Sequence, residues 1–182
     1  HNSFYLPTYQ VSEQCLPCHD LVVRDVEAEI TFTEWNRIPG FSMFGGIPCQ
    51  TCHMPEKEDG THDHNFIGVD MDLSIPYIEN PLFEKVSNML ASAVEMRFEI
   101  LGESLPSMIS NSDTLSIPLT IESLTAHSVP SGTSFNREAW IELIVENNSN
   151  IIYSSGVLVE TNQLLDYDDD DLLVFKTYLL DE

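Results

Sequence analysis

Basic residues are scarce in this chain: 7 Lys and Arg stand against 30 Asp and Glu in 182 residues, a formal charge of −23. So acidic a surface repels phosphate backbones and anionic headgroups, which argues against nucleic acid and acidic membranes as partners. It also opposes close packing of identical copies unless salt, bound cations or a strong interface offsets the repulsion. No run of about 18 apolar residues exists, so no helical segment is expected to span a membrane. Neither a signal peptide nor an initiator Met is present, and a start at His1 is expected of a processed terminus or a fragment. Cysteine is limited to four residues, all in two short motifs, which leaves none for a disulfide. The first 72 residues lack long periodic segments and hold their apolar content in patches such as Phe4-Tyr5-Leu6 and Phe41-Ser42-Met43-Phe44. A region so sparse cannot build an ordinary core alone.

The two motifs are Cys15-Leu16-Pro17-Cys18-His19 and Cys49-Gln50-Thr51-Cys52-His53. In Cys-x-x-Cys-His both thiols can form thioethers with the vinyl groups of one haem, and the adjacent His can bind its iron. A four-thiolate zinc site is the main alternative, but the 30 residues between Cys18 and Cys49 exceed the usual spacing of about 15–20. A His also follows both pairs. With 6 His in the chain, two such coincidences would arise by chance about once in a thousand times. A redox dithiol would need one motif beside a βαβ pattern, and none is visible. The expectation is two haem c groups held by Cys15, Cys18, Cys49 and Cys52, with His19 and His53 as proximal ligands. The haems would supply the apolar surface that residues 1–72 lack, with the chain wrapped around them.

Further along, Val22, Val26 and Ile30 fall at four-residue spacing and predict a short helix from about Leu21 to Trp35. Asn80 can cap a helix with Pro81 at its first position, and Leu82, Val86, Met89, Leu90, Ala93, Met96 and Phe98 extend it through 80–100. Strands are expected at 115–121, at 140–145 and from Ile151, with a tight turn at Asn147-Asn148-Ser149-Asn150 and a last apolar run over 172–180. The predicted organisation is an irregular and α haem-binding module (1–72), a helical connector (73–110) and a β-sandwich-like, Ig-like region (111–182). With roughly 100 residues in a complete sandwich, that last region is expected to be incomplete or completed by a neighbour.

Several segments together resemble the multihaem c-type cytochrome family. Thr33-Glu34-Trp35, then Gly46-Ile47-x-Cys49-Gln50-x-Cys52-His53-Met54-Pro55, looks like the surroundings of haem sites in that family. His64-x-Phe66-x-Gly68 resembles its distal-ligand stretch, and Ala126-His127-x-x-Pro130-x-Gly132 with Arg137-x-x-Trp140 resembles the start of its β-rich domain. The resemblance implies electron transfer through closely spaced haems with His on both faces of each iron, and it makes His64 and His127 distal candidates. His62, two residues from His64, and His1 at the terminus are weaker ones, since a lone His is more often a surface residue. The family includes periplasmic carriers, redox enzymes and extracellular cytochromes that polymerise into conductive filaments. This chain departs from larger members in having only two motifs.

An iron with two protein ligands has no open position for a substrate, so an electron carrier is expected rather than an enzyme. The leading expectation is an extracellular or cell-surface dihaem subunit of a cytochrome filament, a nanowire, that donates a strand from Ser3–Val11 to a neighbour. A soluble periplasmic carrier, or the electron-transfer part of an oxidoreductase complex, is the alternative. Other redox proteins or extracellular acceptors would be its further partners. The acidic run Asp166–Asp171 can be read as a calcium loop, although it lacks EF-hand spacing and a loop glycine, which favours a solvated loop. Asn147-Asn148-Ser149 fits the N-glycosylation triplet.

Overall fold

Valine-rich segments on either side of Arg24-Asp25 pair as strands instead of continuing as one helix. In the computed structural model, which describes residues 6–41, 46–98, 116–159 and 164–178, β1 (Leu21–Val23) and β2 (Val26–Glu29) form an antiparallel hairpin with Val23 opposite Val26. Both central residues have positive φ, 51° at Arg24 and 66° at Asp25, the backbone of a tight hairpin turn. The predicted helix from Leu21 is therefore corrected: β-branched residues favour strands, and a spacing of four across a two-residue turn imitates a helical face. Only its end is helical, as α2 (Thr31–Arg37), which buries Trp35 under Phe32, the ring centroids 5.4 Å apart.

The chain forms two compact units that alternate along the sequence. One comprises Glu13–Ile38 and His127–Glu182. It holds α1 (Leu16–His19), the hairpin and α2, and then four strands. The apolar stretch expected as one strand over 140–145 breaks at Ile141-Glu142 into β5 (Glu138–Trp140) and β6 (Leu143–Asn147). β6 pairs with β7 (Asn150–Ser155) across the expected turn, where Asn148 and Ser149 have φ of 48° and 65°. β5 pairs with β8 (Val174–Lys176), the described part of the last apolar run that is extended. Trp140 Nε1 donates to the Gly156 carbonyl at 2.9 Å. The Gly156 φ of +67° and the Ile141 carbonyl against its α-carbon leave no room for a side chain there.

The other unit comprises His1–Ser12 and Pro39–Ala126. It holds α3 (Cys49–His53), α4 (Phe83–Ala91), β3 (Val94–Phe98) and β4 (Leu119–Ser123). The helix expected over 80–100 is shorter than its apolar pattern. Asn80 accepts the Leu82 N–H at 3.1 Å in a turn that precedes the helix, whose cap position is Leu82 and not Asn80, and Pro81 likewise lies ahead of it. At the far end Ser92 Oγ donates to the Met89 carbonyl at 2.8 Å, and the chain turns at Ala93 into β3. Met96 and Phe98 are thus exposed strand residues paired with Ile121 and Leu119. Between them Arg97 bonds Glu122 at 2.7 Å and Glu95 at 2.8 Å, which raises the guanidinium's affinity for its proton, Glu122 first.

Among the described residues the eight strands pair as four separate two-stranded antiparallel ladders. Buried apolar side chains there are few: Trp35, Ile67, Val86, Ala93 and Leu165. No helix of the described residues is long and apolar enough to cross a membrane. Pro7–Gln10, inside the proposed strand-donor segment, is a 3-10 turn, while residues 3–5 and His1 lie outside the described residues.

Candidate haem sites

α1 begins on Cys15, whose carbonyl accepts the His19 N–H at 3.0 Å. One helical turn thereby sets Cys15, Cys18 and His19 on a single face, as residues three and four apart require. α3 does the same for Cys49, Cys52 and His53, with Pro48 ahead of it in extended backbone and the Met54 N–H closing on Gln50 at 2.8 Å. None of the four cysteines is in a disulfide; Cys18 and Cys52 are exposed, Cys15 and Cys49 half-buried.

The second motif is fastened from beneath. Gln50 Nε2 donates to the carbonyls of Val11 at 2.8 Å and Tyr9 at 3.3 Å, and the Cys49 N–H donates to the buried Ser12 Oγ at 3.0 Å. Gln50 Oε1 is itself buried, with no hydrogen-bond partner among the described residues. These bonds hold 9–12 under α3 and account for the turn at Pro7–Gln10. The chain after α3 then folds back. Glu56 bridges His62, the Asp63 N–H reaches the Pro55 carbonyl at 2.9 Å, and Gly60 takes the left-handed turn. Asp63 is buried and bonds Lys85 of α4 at 2.5 Å, and this partner, with the Asn65 N–H, holds its carboxyl below the usual range. His62 and His64 flank this anchor on exposed positions, the ring of Phe66 edge-on to His64 at 6.0 Å.

The histidines share one feature. His53 Nδ1 donates to the Ile67 carbonyl, His62 Nδ1 to Met54 at 2.8 Å, His64 Nδ1 to His62 at 3.0 Å and His127 Nδ1 to Ser128 at 3.0 Å. A carbonyl oxygen can only accept, so each Nδ1 carries the proton and the ring's lone pair lies on Nε2. That tautomer and orientation are what a metal-binding imidazole needs, with the backbone carbonyl as its outer partner. His19 differs: its Nδ1 lies 3.9 Å from the carboxylate of Glu29.

Around the first motif, side chains do the fastening. Glu29, buried, accepts the Thr31 N–H at 3.0 Å, and Thr33 Oγ1 donates to Asp20, next to His19, at 2.6 Å. Glu34 Oε2 accepts from two groups of the distant His127 segment, the Ser128 N–H at 3.2 Å and Ser131 Oγ at 2.6 Å. Ser131 in turn accepts from Thr31 Oγ1 at 2.7 Å, since its own proton is given to Glu34. Its carbonyl takes Arg137 Nη1 at 2.8 Å. Gly132, at φ +78°, is in the left-handed region where a side chain is strained, and it passes against the Arg137 guanidinium and Glu29. The unit of the first motif thus contains His127, and the unit of the second contains His62 and His64.

This arrangement fits haem: thiols and proximal His share one helical face, and the rings are aimed through Nδ1 with Nε2 left to ligate. Neither Glu34 nor Gln50 was picked out by sequence as a site residue. Glu34 was visible only as part of Thr33-Glu34-Trp35, and Gln50 only as a spacer between cysteines. Among the described residues no three or more His, Cys, Asp or Glu side chains gather as a metal-holding group, a test that a haem iron with two protein ligands does not enter.

In the acidic run, the carboxylates of Asp166, Asp169 and Asp171 accept from protein donors. Asp169 accepts Ser155 Oγ at 2.8 Å and the Gly156 N–H at 3.1 Å, and Asp171 accepts Tyr153 Oη at 2.6 Å. The Ser155 bond, then the Asp171 N–H, keeps the Asp169 carboxyl below its usual range, whereas the Asp171 carboxylate pushes the Tyr153 phenol up. A cleft of ≈ 280 Å³ lies beside them, lined by Ser154, Ser155, Asp166 and Asp169. The Asn147 triplet sits exposed at the β6–β7 turn. Comparison with protein-family models, with curated proteins and with solved structures returned no match.

Proposed function

We propose that this chain is a dihaem c-type cytochrome that carries electrons, with one haem on Cys15, Cys18 and His19 and the other on Cys49, Cys52 and His53. The observation that carries this reading is the common orientation of the rings: His53, His62, His64 and His127 each give the Nδ1 proton to a backbone carbonyl. His53, His64 and His127, three of the four histidines assigned to iron, thereby leave Nε2 to ligate, and His62 is oriented alike. With His64 and His127 on the distal faces, both irons are six-coordinate, closed to small substrates, and poised at lower potential than His/Met ligation gives. The haems supply redox chemistry when bound; the chain holds them, sets their axial ligands and excludes a third reactant.

Two haems make a short conductor, which supports a repeating extracellular subunit over a lone carrier. Among the described residues, the few buried apolar side chains and the separate two-stranded ladders favour further association, through exposed strand edges, into a homopolymer that completes a sandwich-like β region. The net charge of −23 would then face water and cations. Intact-mass measurement on exported protein is expected to show two covalent haems, and the ferric optical spectrum to be fully low-spin. Apoprotein with bound zinc would overturn the haem reading. High-spin iron, or ready carbon monoxide binding by the reduced protein, would reject two closed irons and favour an enzyme. Dispersed particles in electron micrographs at native salt would leave a periplasmic carrier instead of a filament.

A further inference from the structure

Resting on that reading, we propose that Glu34 is a positioning residue that fixes His127 as the distal ligand of the haem on Cys15, Cys18 and His19. Three observations converge on it. One carboxylate oxygen of Glu34 accepts both the Ser128 N–H and the Ser131 hydroxyl, so it grips the loop on either side of Val129-Pro130. The same loop is pinned a second time on α2 by Thr31, and a third time by Arg137 on the Ser131 carbonyl. α2 is also the helix tied to the end of α1, through Thr33 and Asp20 beside His19. A single short helix therefore holds the proximal histidine at one end of its bonds and the His127 segment at the other. Ser128, whose N–H enters Glu34, is the residue whose carbonyl orients the His127 ring. The carboxylate and the ring are thus linked through one residue, Ser128.

The chemistry makes a sharp distinction between substitutions. Both bonds run to the same oxygen, Oε2, so a carboxamide oxygen can replace it, whereas alanine cannot. Loss of both bonds to a charged acceptor should let His127 leave the iron at least about tenfold more often. The test is carbon monoxide binding to the reduced holoprotein, followed optically with haem content from intact mass. Wild type is expected to bind carbon monoxide only at the slow rate at which a distal histidine leaves its iron, and His127→Ala to bind at once at one of two haems. Glu34→Ala should bind at that same one-haem amplitude, at least tenfold faster than wild type. Ser131→Ala should fall between, and Glu34→Gln should stay within about threefold of wild type. Glu34→Ala or Ser131→Ala behaving like wild type while His127→Ala opens one haem would overturn the role of Glu34 and leave the cytochrome reading intact. A Glu34→Gln variant as open as Glu34→Ala would show that charge, not geometry, is responsible, and also overturn it. If His127→Ala leaves both irons closed, the assignment of His127 falls with it. Should Glu34→Ala fail to fold, Ser131→Ala and Glu34→Gln still decide.

Discussion

The two candidate haem sites are built in opposite ways. Around the second motif the fastenings run to main-chain carbonyls: His53 to Ile67 14 residues on, His62 to Met54 eight residues back, and Gln50 to Tyr9 and Val11, 41 and 39 residues back. Around the first they are side-chain carboxylates, Asp20, Glu29 and Glu34, and the Glu34–Ser131 bond spans 97 residues. Closing the longer loop costs about 1.7 kcal/mol more in chain entropy than closing 14 residues. A site whose longest fastening spans 41 residues assembles once that part of the chain has folded. One made of distant carboxylates waits for the rest of its unit and should loosen first.

The largest effect that can test this comparison is deletion of one site at a time. Cys49→Ala with Cys52→Ala should remove one haem mass and leave the other haem low-spin, and Cys15→Ala with Cys18→Ala should do the converse, because each motif has its histidines inside its own unit. Loss of both haems, or a high-spin survivor, would show that the sites depend on each other. Next in size, Gln50→Glu places a buried charge against two carbonyl oxygens. It should destabilise by about 3 kcal/mol, against about 1–2 for Gln50→Ala, in denaturant unfolding of the holoprotein. This change should reverse the order in which the sites loosen, with the second motif opening first. The smallest effect is acid sensitivity through Asp63. Its folded carboxyl lies below the ordinary value of 3.8, so the Lys85 bond contributes fully above that pH and is lost as pH falls through the depressed value. Melting temperature measured from pH 6 to 2.5 should fall more gently at the low end in Asp63→Asn than in wild type.

The sequence made the helical turns of both motifs legible, because Cys-x-x-Cys-His has one compact geometry, and also the Asn147–Asn150 turn, whose residues tolerate positive φ. It misled where two structures share a period. Val22 and Val26 of the β1–β2 hairpin and Ile30 just after it lie four apart as they would in a helix, and the apolar pattern of α4 runs on through Met96 and Phe98 although the backbone turns at Ala93. The bonds that organise the candidate sites left no local trace. Glu34 to Ser131 is a relation between side chains 97 positions apart, and Gln50 occupies a slot where any residue satisfies the motif. Ser3–Val11 was apolar enough to read as a strand, yet its Pro7–Gln10 part is a turn, and the Tyr9 and Val11 carbonyls accept from Gln50.

The alternation of the two units along the chain bears on biogenesis. Cys15 and Cys18 emerge from the ribosome or the export channel more than a hundred residues before His127 and Ser131, which belong to the same unit. The first motif must therefore stay open and accessible through most of synthesis, while the second meets His62 and His64 almost at once. Under the proposed chemistry, the machinery that stitches haem to the cysteines finds the first pair on an unfolded tether, and the second on a segment already closing. Order of attachment, rather than final architecture, is where the two halves of this protein would part company.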